Sequence, residues 1–140
     1  MSGAFVGDVS PSEAWEILEA APSASLVDVR TEAEWRFVGL ADLSKLGREA
    51  QLLSWQDYPT MEIDSGFQAK LERMVTDKSA PVLFLCRSGA RSKAAAMAAA
   101  AAGYAKAYNI AEGFEGDPDS ARHRGTVNGW KVAGLPWVQG

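Results

Sequence analysis

The sequence predicts an α/β domain with a mainly parallel central sheet and helices on both of its faces. Three observations lead there. Short apolar runs alternate with amphipathic or alanine-rich helical stretches along the chain, the order that strand–helix–strand units require. One run, PVLFL at 81–85, is apolar throughout, as in a central strand covered on both sides. Two candidate helices open on cap residues at the expected spacing. At 140 residues the chain has the size of one domain, 1–140, and enough side chains for a core.

The elements follow in order. Ser10-Pro11-Ser12-Glu13 is a capping box with Pro at the first helical position, and Trp15, Ile17 and Leu18 give the helix an apolar side to about Ala20. After Pro22, ASLVDV (24–29) reads as a short buried strand. Thr31 and Glu34 repeat the capping-box spacing, which predicts a second helix over 31–37. Segments 38–44 and 50–55 each allow a short strand. Asp64 is placed to cap a third helix running to about Asp77, with Phe67, Leu71, Met74 and Val75 at helical spacing. Beyond 81–85, a helix over 90–102 stops at Gly103, a residue suited to the left-handed turn after a helix. Residues 107–110 form one more strand, and the Gly- and charge-rich 112–127 a long loop. The end, 128–140, is expected to hold one or two helical turns capped by Gly134.

Composition excludes several function classes. Hydrophobic residues at 47% and charged ones at 23% are ordinary for a globular protein. A net charge of −4 argues against a general nucleic-acid surface, so any basic site must be local. The single cysteine excludes an intrachain disulfide and a cysteine-based zinc site, and suits a reducing compartment. MSGAFVGDVS lacks the basic and apolar regions of a signal peptide, and AAAMAAAAA is too short to span a bilayer. The expectation is a cytoplasmic domain with no nucleic-acid or membrane partner.

That one cysteine, Cys86, ends the apolar strand just before the alanine helix, in LFLCRSGARSKAAA. In a parallel sheet, ligands bind outside the carboxyl ends of the strands. The backbone N–H groups of Arg87, Ser88, Gly89, Ala90 and Arg91 can converge there, and the helix dipole adds a positive end. Gly89 permits the tight turn. Arg87 and Arg91 bring permanent charge, and Ser88 and Ser92 bring hydroxyl donors. Such a field favours a nucleophilic thiolate that holds an anionic substrate or intermediate. The alternative, an inert core thiol, sits badly beside two arginines. Asp28 and Arg30, at another strand end, are either a catalytic pair or a salt bridge pinning loops beside the site; the second reading is favoured. His123, between Arg122 and Arg124, has no second His or Cys near it to make a metal site. Trp35 and Trp130 are expected to wall the pocket.

CRSGARS between a strand and a helix resembles the active-site loop of rhodanese-like sulfurtransferases. LVDVRTEAEW (26–35) is similar to the family's N-terminal signature, and NIAEGFEGD followed by NGWKVAGLPW to its C-terminal part, so the resemblance covers roughly 10–138. It implies a rhodanese-like fold and a thiosulfate sulfurtransferase activity. Cys86 would take the outer sulfur of an anionic donor such as thiosulfate as a persulfide and pass it to a thiol or cyanide. Arg87, Ser88, Gly89, Ala90 and Arg91 would bind substrate, and Asp28, Arg30, Ser92 and Trp35 would support the site. No metal or cofactor is implied; a protein sulfur donor or acceptor is compatible with the same loop. Leu40 stands where the family commonly has His, and 116–127 is longer than a minimal connection and expected to narrow access. Two rival functions remain. A Cys-based phosphatase needs a loop one residue longer, and its arginine would fall on Ser92. A redox-sensing or docking module would use Cys86 without a resolving cysteine in the chain.

Overall fold

The apolar run at 81–85 does lie at the centre of the sheet. A computed structural model describes residues 5–57, 60 and 62–139. In it, strands β1 (Phe5–Val9), β2 (Ser25–Asp28), β4 (Gln51–Leu52), β7 (Pro81–Leu85) and β8 (Lys106–Ile110) form one five-stranded sheet. Their order is β1-β8-β7-β2-β4, with β7 third of five and every pair parallel. The remaining strands are two-residue pairs: β3 (Leu40–Ala41) with β9 (Trp137–Val138), and β5 (Gln56–Asp57) with β6 (Glu62–Ile63), both antiparallel. The helices are α1 (Pro11–Ala20), α2 (Glu32–Val38), α3 (Phe67–Met74) and α4 (Ala90–Ala101).

Alternation along β7 sorts the core into two layers, because successive strand side chains point to opposite faces. Val82, Phe84 and Cys86 join Val27 of β2, Phe67 and Leu71 of α3 and Ala95 of α4 on one side. Leu83 and Leu85 join Ala14 and Leu18 of α1 with Phe114 and Trp130 on the other. Both faces are therefore covered, which is why β7 can be apolar throughout. The architecture is α/β, with a parallel central sheet covered by helices on both faces, as the sequence predicts. α4 buries Ser92, Ala95, Ala96, Ala99 and Ala100, a stripe of small side chains that lets a helix lie close to a sheet.

Several boundaries differ from expectation. Both capping boxes form: Glu13 N–H donates to Ser10 Oγ at 3.1 Å and Glu34 N–H to Thr31 Oγ1 at 3.4 Å. Asp64, however, caps no helix. Its Oδ1 accepts from Gly66 N–H at 2.8 Å, a local Asx turn, so α3 begins three residues later and ends at Met74 rather than Asp77. In 38–44 and 50–55 only two residues each are strand, because 38–44 lies outside the main sheet and β4 is its short edge. The terminal segment holds one turn, closed by Ala133 N–H to Gly129 O at 3.0 Å and ended by the left-handed Gly134 as expected, and then enters β9, which the sequence reading did not include. Trp130 Nε1 donates to Pro136 O at 2.8 Å, which folds that turn back and aligns β9 with β3. β1, parallel to β8 at the sheet edge, carries no signal that the sequence reading used. Among the described residues no helix is long and apolar enough to cross a membrane.

Candidate active site

Cys86 directly follows β7, at its carboxyl end, and is 1% exposed. The turn after it needs Gly89: its φ is +112°, and a Cβ there would stand 2.2 Å from the Ala111 carbonyl oxygen. The segment after β8 straps this turn from the other side. Phe114 N–H donates to Cys86 O at 2.8 Å, and Glu115 and Gly116 N–H both donate to Arg87 O, at 3.0 and 3.1 Å. Gly113, at φ +68°, makes the approach possible, since a Cβ would meet the Arg87 carbonyl at 2.5 Å. The NIAEGFEGD stretch is thus a brace for the cysteine loop.

Two donors reach the sulfur. Gly89 N–H lies 3.1 Å from Cys86 Sγ, and Ser92 Oγ lies 3.2 Å away. Ser92 is fully buried and stands on the first turn of α4, so both donors come from the helix start. The same Ser92 hydroxyl lies 2.5 Å from Asn109 Oδ1, while Asn109 Nδ2 donates to Asp8 Oδ1 at 2.9 Å. That last bond orients the amide with its oxygen toward Ser92. One hydroxyl proton therefore faces two acceptors, Sγ and Asn109 Oδ1, and serves one at a time. A thiolate competes better for it than a thiol.

The pocket above Cys86 is about 370 Å³ and is lined by Glu34, Gln56, Cys86, Arg87, Ser88, Ala90 and Arg91. Of the cysteine loop, Arg87, Ser88, Ala90 and Arg91 line the pocket while Gly89 turns its N–H to Sγ instead, and Arg91 does not offer its charge freely. Its Nη1 and Nη2 donate to Glu34 Oε1 and Oε2 at 2.6 and 2.9 Å, with the two side chains 18% and 20% exposed. Hydrogen bonding to Glu34 raises the Arg91 pKa against the opposing effect of burial. Burial works to raise that of Glu34, but the hydrogen bonds and charge of Arg91 hold its carboxyl below the ordinary range. The Arg91 charge, expected from the sequence to meet an anion, is thus engaged by Glu34 at the pocket wall. The reason is the short helix α2, whose capping box fixes Glu34 at the pocket wall; Oε1 also accepts from Thr31 N–H at 3.3 Å. Arg87 is exposed and has no ion-pair partner among the described residues, which leaves it as the cation free to meet a ligand.

Asp28 and Arg30 lie apart from the pocket lining. Both are 0% exposed; Arg30 Nη2 donates to Asp28 Oδ2 at 2.7 Å and to Gly39 O at 2.7 Å, and the guanidinium sits 4.3 Å from the centre of the Phe114 ring. Their role is to lock the end of β2 to the α2–β3 turn and to the brace after β8. Trp35 and Trp130 do not wall the pocket: Trp130 is fully buried against Trp15 in the α1 layer, and Trp35 lies half-buried on α2. Leu40, at the position where His was expected, pairs with Val138 across β3–β9, so that strand pair supplies the local geometry. The 112–127 loop does not cover the Cys86 pocket; it borders it, with His123 exposed. Glu34, Asn109, Asp8 and Gln56 went unassigned to the site in the sequence. Only Glu34 had a legible position, and its cap role hid its second partner.

Comparison with known proteins places these features in context. Residues 6–140 match the family described as the STR4 middle domain. The uncharacterized protein RC0915 of Rickettsia conorii is 37% identical over 133 residues, covering 94% of this chain and 97% of that protein. The chloroplastic rhodanese-like domain-containing protein 4 of Arabidopsis thaliana is 28% identical; the match covers 95% of this chain but only 26% of the plant protein. Among solved structures, Rv0390 from M. tuberculosis superposes with a TM-score of 0.90 at 50% identity, covering 98% of this chain and all of that one. A polysulfide-sulfur transferase from Wolinella succinogenes shares the fold, with a TM-score of 0.66 at 22% identity over 95% of this chain and 78% of its own.

Proposed function

We propose that this chain, which belongs to the STR4 middle domain family, is a sulfurtransferase that carries sulfane sulfur on Cys86 from a small anionic donor such as thiosulfate to a thiophilic acceptor. One observation supports this most: the only thiol of the chain closes the floor of a pocket at a strand end, with Gly89 N–H and Ser92 Oγ both within hydrogen-bond reach of its sulfur. In the first half-reaction the Cys86 thiolate attacks the outer sulfur of thiosulfate. The S–S bond of the donor breaks, its electron pair leaves with sulfite, and Cys86 retains a persulfide anion. In the second, the acceptor takes that outer sulfur and the electron pair returns to Cys86. Charge is conserved in both steps, so no cofactor is required.

The donors around Sγ then have a shared task. Each form of the residue in the cycle is an anion, and fixed N–H and O–H dipoles stabilise it without reorganising. Arg87 meets the donor and the departing sulfite. Arg91 acts through Glu34, as half of a pair whose charge is released to the pocket only if Glu34 gives it up.

Turnover tests the reading. Purified protein is given thiosulfate, an organic persulfide or polysulfide, with cyanide as acceptor, and thiocyanate is measured; polysulfide is included because the Wolinella fold neighbour is a polysulfide-sulfur transferase. Thiocyanate from at least one donor, lost in Cys86→Ser, is the expected result. Faster hydrolysis of an aryl phosphate than transfer from any of these donors overturns the assignment in favour of a phosphatase.

A further inference from the structure

Beside the Cys86 pocket lies a second, shallower cleft of about 560 Å³, within the size range of small-molecule sites. It shares Glu34 and Arg87 with the pocket and is otherwise lined by Val38, Glu115, Arg122, His123 and Arg124. The loop that forms its far wall is firmly built. Asp119 Oδ1 accepts from the N–H groups of Ala121 and His123 at 2.8 and 2.9 Å, and Oδ2 accepts from Thr126 Oγ1 at 2.7 Å. Its own N–H donates to His123 O at 2.7 Å. The result places Arg122 at φ +64°, the only positive φ outside glycine among the described residues. Such a conformation persists only where its surroundings impose it, and it is common at functional sites.

Charge in the cleft is uneven once pairs are removed. Glu34 is neutralised by Arg91, whereas Arg124 keeps its charge but is fixed in place by the bond from Nη1 to Gly116 O at 2.6 Å. Arg87 and Arg122 have no ion-pair partner among the described residues, and both are exposed; half-buried Glu115 is the carboxylate that faces them. Two free guanidinium groups thus flank a groove that begins at the nucleophile, while thiosulfate is small enough for the inner pocket alone.

We infer that this cleft binds the anionic tail of the sulfur acceptor, a small thiol bearing carboxylates that meet Arg87 and Arg122 while its sulfur reaches Cys86. The inference rests on the sulfurtransferase reading above. The acceptor thiolate attacks the outer sulfur of the Cys86 persulfide. The bond to Sγ breaks, its electron pair restores the Cys86 thiolate, and the acceptor departs as a persulfide anion, with no net oxidation. Specificity for the acceptor is then shared by Arg87 of the cysteine loop and Arg122 of the 117–127 loop.

The test compares glutathione with its diethyl ester, the same thiol with and without two carboxylates, as acceptors for wild type, Arg122→Asn and Arg122→Lys. Asn tolerates the left-handed backbone, so the loop keeps its shape. The expected result is a fall in kcat/KM for glutathione of about three- to five-fold in Arg122→Asn, with little change for the ester, and recovery in Arg122→Lys. Thiosulfate-to-cyanide turnover stays at the wild-type level. An equal effect on both thiols, or none on either, overturns the cleft. A second readout needs no sulfur transfer: S-methylglutathione should shift the amide resonances of 115–125 in wild type, and Arg122→Asn should need about three- to five-fold more of it for the same shift. If those resonances move but no donor charges Cys86, the sulfurtransferase reading fails and the anion cleft stands. If Cys86 is charged and they do not move, the cleft alone fails.

Discussion

Asp28–Arg30 and Glu34–Arg91 join the same two chemical groups at nearly the same distances, 2.7 and 2.6 Å, yet one is sealed at 0% exposure and the other keeps about a fifth of each side chain at a pocket wall. Their surroundings differ accordingly. Arg30 is also bonded to Gly39 O and stacked on Phe114, so neither partner can leave without stranding a buried charge. Among the described residues Glu34 and Arg91 bond only each other and the Thr31 cap, and both are partly exposed. Burial thus decides whether a carboxylate-paired arginine is part of the frame or part of the site. A sealed pair fixes geometry; a half-open pair stores a charge that can be exchanged for a ligand's.

The largest expected effect tests the sealed pair. Arg30→Met leaves Asp28 buried and unpaired, and should cost about 3–5 kcal/mol in urea unfolding. A loss near that of a surface substitution would dissolve the contrast. Next comes Ser92→Ala, which strands the buried Asn109 Oδ1 and removes a donor from Sγ. It should destabilise by about 1–3 kcal/mol and slow persulfide formation at saturating donor; the same stability loss with unchanged kcat would reduce Ser92 to packing. Glu34→Gln should cost less, about 1 kcal/mol, and should lower the thiosulfate KM about three-fold by freeing Arg91. Its pH dependence has a definite sign. The folded carboxyl titrates below its ordinary value of 4.5, so the pair's contribution is present above that value and is lost as pH falls through the lower folded one. The stability gap between wild type and Glu34→Gln should therefore close in acid. The smallest effect belongs to Arg36–Glu32, 68% and 74% exposed, where Glu32→Gln should leave the unfolding midpoint unchanged within error.

How far the sequence was legible follows from the range of the interactions involved. Local signals held: Ser10 and Thr31 cap as their spacing predicts, and the apolar run 81–85 lies where a doubly covered strand must. Cys86, Gly89 and Ser92 come together because they lie within six positions of one another, across the turn from β7 into α4. What stayed hidden depends on distant partners. Glu34 meets Arg91 across 57 positions and Asn109 meets Asp8 across 101, and no local pattern reports either. β1 and β9 are recognisable only by their pairing with β8 and β3, and Asp64 is ambiguous in sequence because an Asx turn and a helix cap use the same residue.

The central claim is that Cys86 holds transferable sulfur. Intact-mass spectrometry of the protein after exposure to thiosulfate, an organic persulfide or polysulfide measures it directly. The account predicts one added sulfur on wild type, removed by cyanide, and none on Cys86→Ser. Folded protein that gains no sulfur from any of the three donors would contradict it.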